Sequence, residues 1–286
     1  MEVLICVVSG FFWALFDLTR KLSLKFFSSK SILICLMSLQ SILFLVWTFY
    51  TDFSFDFKNY FVPGCLLIII GVISALLFLK AISNSELSLT IPLLSFTPLF
   101  SAVLSYFLLN EKLTTVQYFA ISLIIIGTLI LYSSSFKISS IFQSIITIKE
   151  SLSARIMLIV AFSWSITPIL DKISLKYSSI NIHGLFQSFG MLLILIIFSI
   201  PEIKKLKKFK INKDILILIT IFIGTIATIL QFYAILNNYV PIMEAIKRTI
   251  GQFGSLFFGY LFFREKITSQ KIVGLILLSV GILNII

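Results

Sequence analysis

The chain breaks again and again into apolar stretches of about twenty residues, the length an α-helix needs to cross a hydrocarbon layer about 30 Å thick. Ten can be counted, at approximately 2–19, 31–50, 61–79, 88–109, 114–133, 155–171, 181–200, 214–234, 240–262 and 271–286. With 59% hydrophobic residues, 12% charged residues and a mean hydropathy of +1.09, the composition lies far outside that of soluble domains. The fold class expected is an all-α membrane protein with ten transmembrane helices, placed in the cell membrane. Its loops are too short to hold a soluble catalytic or nucleic-acid-binding domain. The net charge of +11 therefore reflects loop lysines, and no nucleic-acid partner is expected. Met1 and Glu2 lead straight into the first stretch without a basic leader or a small-residue cleavage site, so the first helix is expected to be retained.

The chain also repeats itself. The run 110-NEKLT-114 recurs as 264-REKIT-268, 154 residues on, and Gly127 and Gly281 follow the two glutamates at the same distance. Nearer the start of each half, 12-FW-13 and 21-KLSLKF-26 recur as 163-SW-164 and 172-KISLKY-177, at a spacing of 151. Two five-helix units result, residues 1–135 and 150–286, joined by a connector over 136–149. An odd number of spans per unit inverts the second copy in the membrane, giving two inverted five-helix repeats and the architecture of a carrier with its site near the midplane. On the fourth span Thr97, Ser101 and Ser105 match Gly251, Ser255 and Gly259 on the ninth. Each set forms a stripe of small residues four apart, which predicts close packing of these two helices. Pro92, Pro98 and Pro168 fall within spans and predict kinks or hinges, whereas Pro201 and Pro241 mark helix ends.

The paired segments 90-TIPLLSFTPLFSAVLSYFLLNEKLT-114 and 241-PIMEAIKRTIGQFGSLFFGYLFFREKIT-268, on ten spans in two copies, resemble the EamA-type members of the drug/metabolite transporter superfamily. The resemblance covers essentially the whole chain. It implies ten helices around a central cavity and a substrate among amino acids, other small metabolites, nucleotide sugars and sugar phosphates. Lys247-Arg248 is similar to the phosphate-gripping pair of triose-phosphate translocators. Leu94 stands where those carriers have a further lysine, and Glu244 adds a negative charge beside the pair, which argues against a sugar phosphate.

Three charges, Glu244, Lys247 and Arg248, interrupt the ninth span at i, i+3 and i+4, and so share a face with Gly251 and Ser255. Charges inside a span normally face the bundle interior or water. This face is the candidate substrate site. The alternative is that Glu244 merely neutralises the cations, or that all three snorkel to the nearby helix end. Lys80 and its counterpart Tyr233 are further candidates for the cavity wall, with snorkelling to the helix end the alternative for Lys80; Trp13 and Trp164, at matching places in the two halves, are candidates too, with an interfacial or packing role the alternative. Asp17, with Arg20 and Lys21, and Asp171, beside Lys172, read as satisfied helix-end groups, either of which could bind a proton or a sodium ion. His183, the single histidine, reads as a loop residue. It lacks partners at metal-ligand spacing, as do Cys6, Cys35 and Cys65, so no metal site is expected. No nucleotide loop or nucleophile elbow is present, hence no cofactor and no enzyme activity are expected.

The function expected is secondary transport, by alternating access, of a small polar metabolite bearing a carboxylate or phosphate, such as an amino acid. Its partners are that substrate, the lipid bilayer, and a proton, another coupling ion or a counter-substrate. A flippase for lipid head groups and a sugar-phosphate or nucleotide-sugar exchanger remain the alternatives. Of the 23 lysines and arginines, seventeen fall in odd-numbered loops, six of them in 204–213, and four in even-numbered loops. The positive-inside rule then places the odd loops in the cytoplasm and both termini outside, opposite to the arrangement usual in the resembling family.

Overall fold

A computed structural model describes residues 2–86, 90–133, 135, 137, 151–198 and 211–285. The connector 136–149, Pro201 and the basic run 204-KKLKKFK-210 fall almost entirely outside these residues. The described chain forms ten α-helices: α1 Glu2–Ser23, α2 Ser29–Tyr50, α3 Phe57–Ser83, α4 Thr97–Leu109, α5 Thr115–Tyr132, α6 Leu152–Ser174, α7 Ile180–Ile197, α8 Ile211–Asn237, α9 Val240–Phe263 and α10 Ser269–Ile285. Six of them, α1, α2, α3, α6, α7 and α8, are long and apolar enough to cross a membrane.

Burial is distributed as a bilayer demands. Large apolar side chains such as Tyr50, Phe107 and Phe198 are more than 70% exposed, while many serines, threonines and charged residues are buried among the helices. In lipid the outside has to be greasy, and polar groups find partners within.

Local chemistry sets the helix ends. Asp56 accepts from the Asn59 backbone N–H to start α3, Ser151 accepts from Ala154 N–H to start α6, and Thr114 with Gln117 closes a capping box on α5. The fourth span does not run as one α-helix with kinks at its prolines. It opens with a 3-10 turn, Ile91–Phe96, and Pro98 then sits in the first turn of α4, where its missing N–H costs nothing. Pro168 lies inside α6, and Pro241 starts α9.

Packing partners exchange cleanly between the halves. Helix α1 packs on α8 and α9, and α6 on α3 and on α4 with its 3-10 turn. The self-matched pairs α2 with α7, α4 with α9 and α5 with α10 also pack together. The duplicated turns fold alike. Asn110 and Arg264 both take the left-handed conformation, φ 57° and 55°, and the following Glu111 and Glu265 N–H groups return to the carbonyls of Ser105 and Gly259.

All six stripe residues are buried and α4 meets α9, but the stripes are not the tightest approach. A Cβ on Gly251 would have nothing nearer than Ile91 at 4.0 Å, and Gly259 makes room for the Glu265 side chain. Among the glycines, the closest approach to another helix's backbone is between α5 and α10. A Cβ on Gly127 would lie 2.9 Å from the Gly274 carbonyl, and one on Gly274 would lie 2.7 Å from the Gly127 carbonyl. Helix α1 approaches α9 through Gly10, where a Cβ would meet the Lys247 Cα at 3.2 Å. That contact holds the charged turn of α9 against the tryptophan-bearing helix.

Candidate functional site

Between the halves lies a cavity of about 140 Å³, with walls drawn from α1, α2, α3, α6, α7, α8 and α9. Lys247 and Arg248 project into it from α9, only 6% and 8% exposed, so they do not snorkel. Glu244 is fully buried beneath them. It pairs with Lys247, and its Oε2 accepts from Arg248 Nε at 3.0 Å and lies 2.8 Å from Nη2. The helical spacing alone makes this cluster possible, since i, i+3 and i+4 stack on one face.

The matched tryptophans frame the cations. Lys247 Nζ lies 5.6 Å from the Trp13 ring centroid, and the Arg248 guanidinium carbon 5.1 Å from that of Trp164. Trp164 Nε1 donates to Ser74 Oγ at 3.0 Å, but the buried Nε1 of Trp13 has no partner among the described residues. Lys247 also donates to Gln231 Oε1 at 2.9 Å.

Two sequence candidates fall outside the cavity. Lys80 is exposed in the last turn of α3, although its neighbours Phe78, Leu79 and Ala81 are fully buried. Tyr233 is 39% exposed on α8, because the wall is built by its neighbours Gln231 and Phe232 and the next residue in the chain turns outward.

Other charges prove to belong to the interior. Arg20 pairs with Asp17, but it stands between the Phe16 and Phe78 rings, 4.1 and 4.3 Å away, and lines the cavity instead of ending a helix in water. Lys21 does not join Asp17. Asp171 also lines the cavity and does not pair with Lys172; its Oδ1 lies 3.0 Å from His183 Nε2. His183 is no loop residue: it is fully buried in the first turn of α7, with Nδ1 2.8 Å from the Tyr60 hydroxyl. Around the cavity Arg20, Lys247 and Arg248 thus face Asp17, Glu244 and Asp171.

The recurring lysines and glutamates meet across the halves. Lys172 Nζ donates to Glu111 Oε1 at 2.6 Å and to the Asn238 carbonyl at 2.8 Å, while Glu111 Oε2 takes the Val240 N–H at 2.9 Å. The matching Lys21 Nζ donates to the Ser85 carbonyl at 2.9 Å and lies 3.5 Å from Glu265 Oε1. A vestibule of about 770 Å³, lined by Lys21, Glu86, Phe263 and Glu265 among others, opens beside this looser pair.

One family profile, described as the EamA-like transporter family, matches residues 1–133 and again residues 152–286. The chain belongs to the EamA-like transporter family. It is a multi-pass integral membrane protein of the drug/metabolite transporter superfamily, with a small molecule as its substrate and lipid as its surroundings. This EamA protein also shares its fold with a solved structure described only as a crystal structure of a protein. The two align with a TM-score of 0.70 and 10% identity, over 98% of this chain and 96% of the other. No curated protein matches it.

Proposed function

We propose that this EamA-family protein is an alternating-access carrier of a small zwitterionic metabolite, such as an amino acid. The observation that carries the reading is the balanced charge of one cavity, three cationic and three acidic side chains on its walls or just beneath them. Arg248 offers a planar fork and Lys247 a compact charge to the substrate carboxylate, and both act in surroundings poor in water. The unpartnered Trp13 Nε1 supplies a further donor. Glu244 holds the two cations while the site is empty. A substrate amino group then meets Glu244 as the carboxylate draws the cations away, or Asp171 across the cavity. Leu94, buried beside Arg248, leaves a phosphate without its extra lysine.

In this reading the ten helices are ten spans, 1–135 and 150–286 are inverted repeats, and the cross-half lysine–glutamate pairs are gates at opposite ends of the cavity. The tight pair Lys172–Glu111 closes the even-loop end, and the 3.5 Å pair Lys21–Glu265 with its vestibule marks the end from which substrate enters. The charge distribution puts that entrance in the cytoplasm of a cell whose outer membrane face carries both termini.

Counterflow in proteoliposomes against a panel of amino acids, sugar phosphates and nucleotide sugars tests the reading. Exchange of amino acids is expected, with Arg248→Ala reducing it by about 30-fold or more, as loss of a charged hydrogen bond of about 2–3 kcal/mol implies. Exchange confined to sugar phosphates, or unaffected by Arg248→Ala and Lys247→Ala, would refute it.

A further inference from the structure

Three titratable side chains from three helices, Tyr60 on α3, Asp171 on α6 and His183 on α7, are joined in one hydrogen-bonded row, of which the substrate reading uses only Asp171, as one of two partners for the amino group. We infer that this row is a proton-binding site on the cavity wall, with His183 as the group that takes the proton.

The geometry suits both protonation states. With a neutral ring, Nε2–H donates to Asp171 Oδ1 over 3.0 Å and the Tyr60 hydroxyl donates to Nδ1 over 2.8 Å. With a proton added, Nδ1–H donates to the Tyr60 oxygen instead, and only the hydroxyl hydrogen has to turn. Neither bond of the imidazole is lost on going from one state to the other, so a buried histidine can change charge here without stranding a ring nitrogen. The added charge falls next to a buried carboxylate, which otherwise stands without a cation in hydrogen-bond contact among the described residues.

The neighbours set the route. Phe55 packs on Tyr60 with ring centroids 5.1 Å apart, and backbone bonds from Asp56 to Tyr177 and from Ser179 to Ser54 close the chain over that end. The Phe232 ring of α8 covers His183 at 4.8 Å, α2 presents Phe44 to Gly184 beside it, and Thr51, just past α2, accepts from Asn181. Of the row, Asp171 alone lines the cavity, so a proton arrives from there. Arg20 of α1 and Lys247 and Arg248 of α9 line the same cavity as Asp171, Lys247 acting on it directly, and Cys65 of α3 acts on Tyr60. Lys172, next in sequence to Asp171, is turned away to Glu111.

The second half alone supplies the carboxylate and the imidazole. At the spacing of 151, Asp171 matches Arg20 and His183 matches Ile32. On the transport reading, on which this consequence rests, a substrate carboxylate that engages Lys247 takes a cation's field from Asp171 and so favours the proton. By linkage the proton favours the substrate equally.

The single histidine makes the test direct. Full-length protein labelled with ¹³C,¹⁵N-histidine in lipid nanodiscs gives one imidazole signal, followed by NMR from about pH 5 to pH 9 without any substrate. The expected result is reversible conversion between one and two protonated ring nitrogens. Asp171→Asn should require at least tenfold more free protons for half conversion, and Lys247→Gln should require fewer. A ring that stays neutral throughout, or midpoints that ignore both substitutions, would overturn the proposal; opposite shifts in the two variants support it even if one of them folds poorly. Because no substrate is added, a positive result stands when amino-acid exchange fails, and a negative one leaves the substrate reading to its own assay.

Discussion

Glu111→Gln neutralises one of the two matched cross-half pairs and should open the end of the molecule that is now shut. Glu111 is 4% exposed and its carboxylate holds both Lys172 Nζ, at 2.6 Å, and the Val240 N–H, at 2.9 Å. Two unit charges about 3 Å apart attract by about 5 kcal/mol at an effective dielectric constant of about 20, and desolvation offsets much of that. A glutamine keeps one oxygen as acceptor, so the net loss to the closed state comes to about 1–2 kcal/mol, or a shift of about 5- to 30-fold in the balance of open and closed forms. The assay is labelling of Thr167→Cys, on the cavity wall, in a chain whose Cys6, Cys35 and Cys65 are serines. A membrane-impermeant maleimide is added to sealed vesicles from the even-loop side. Glu111→Gln should speed the reaction by that factor. Glu265→Gln, which loosens the opposite gate, should slow it or leave it at the background rate. Equal changes in both variants, or less than a twofold change in either, would show that these pairs are static clamps and that the gates lie elsewhere.

Two further outcomes follow from burial alone. Glu244→Gln leaves Lys247 and Arg248 buried without their anion and should cost about 3–5 kcal/mol of stability, read as a lower thermal unfolding midpoint in detergent; Lys247→Ala, which leaves the Glu244–Arg248 pair in place, should cost clearly less. Gly127→Val drives a side chain into the Gly274 carbonyl and should destabilise by about 1–3 kcal/mol, whereas Gly251→Ala, with 4.0 Å to its nearest neighbour, should change stability by less than about 0.5 kcal/mol.

The sequence made the charged face of α9, the two tryptophans and the duplicated lysine and glutamate runs legible, because each depends on spacing within a helix or on self-similarity. Asp17 and Arg20 do pair, and Arg20 and Asp171 do lie in the last turns of α1 and α6; what spacing does not reveal is that these ends face a buried cavity and that Asp171 pairs with His183. A helix whose inner face lines a polar cavity extends past the end of its apolar run, since the charges on that face never meet lipid. Lys80 is exposed in the last turn of α3, as its snorkelling alternative has it; periodicity in an almost uniformly apolar helix does not decide between cavity and exterior. His183 was unreadable because its partners come from other helices, Tyr60 lying 123 residues away. The one local trace was Gly184, where the Phe44 ring takes the space a side chain would need.

The two copies sort the interior into two kinds of position. Residues that are alike in both, Lys21 with Lys172 and Glu111 with Glu265, make matching cross-half contacts, and Trp13 and Trp164 each face a cation of α9. Residues that differ at matched places, Arg20 against Asp171, Asp17 against Pro168 and Leu94 against Arg248, lie on the cavity or close around it. A pair of gates has to be alike if each end is to open with similar ease, and duplication supplies that likeness without further selection. A zwitterion has one positive and one negative end, and two identical walls would bind it equally well in two opposed orientations, holding neither firmly. The cavity therefore needs its symmetry broken where the substrate lies and kept where the halves hinge. This division makes a sharper test than any single residue: exchanging Lys21 and Glu265 for each other should leave substrate preference intact while changing the rate of turnover, and a swap that altered substrate preference instead would refute the division.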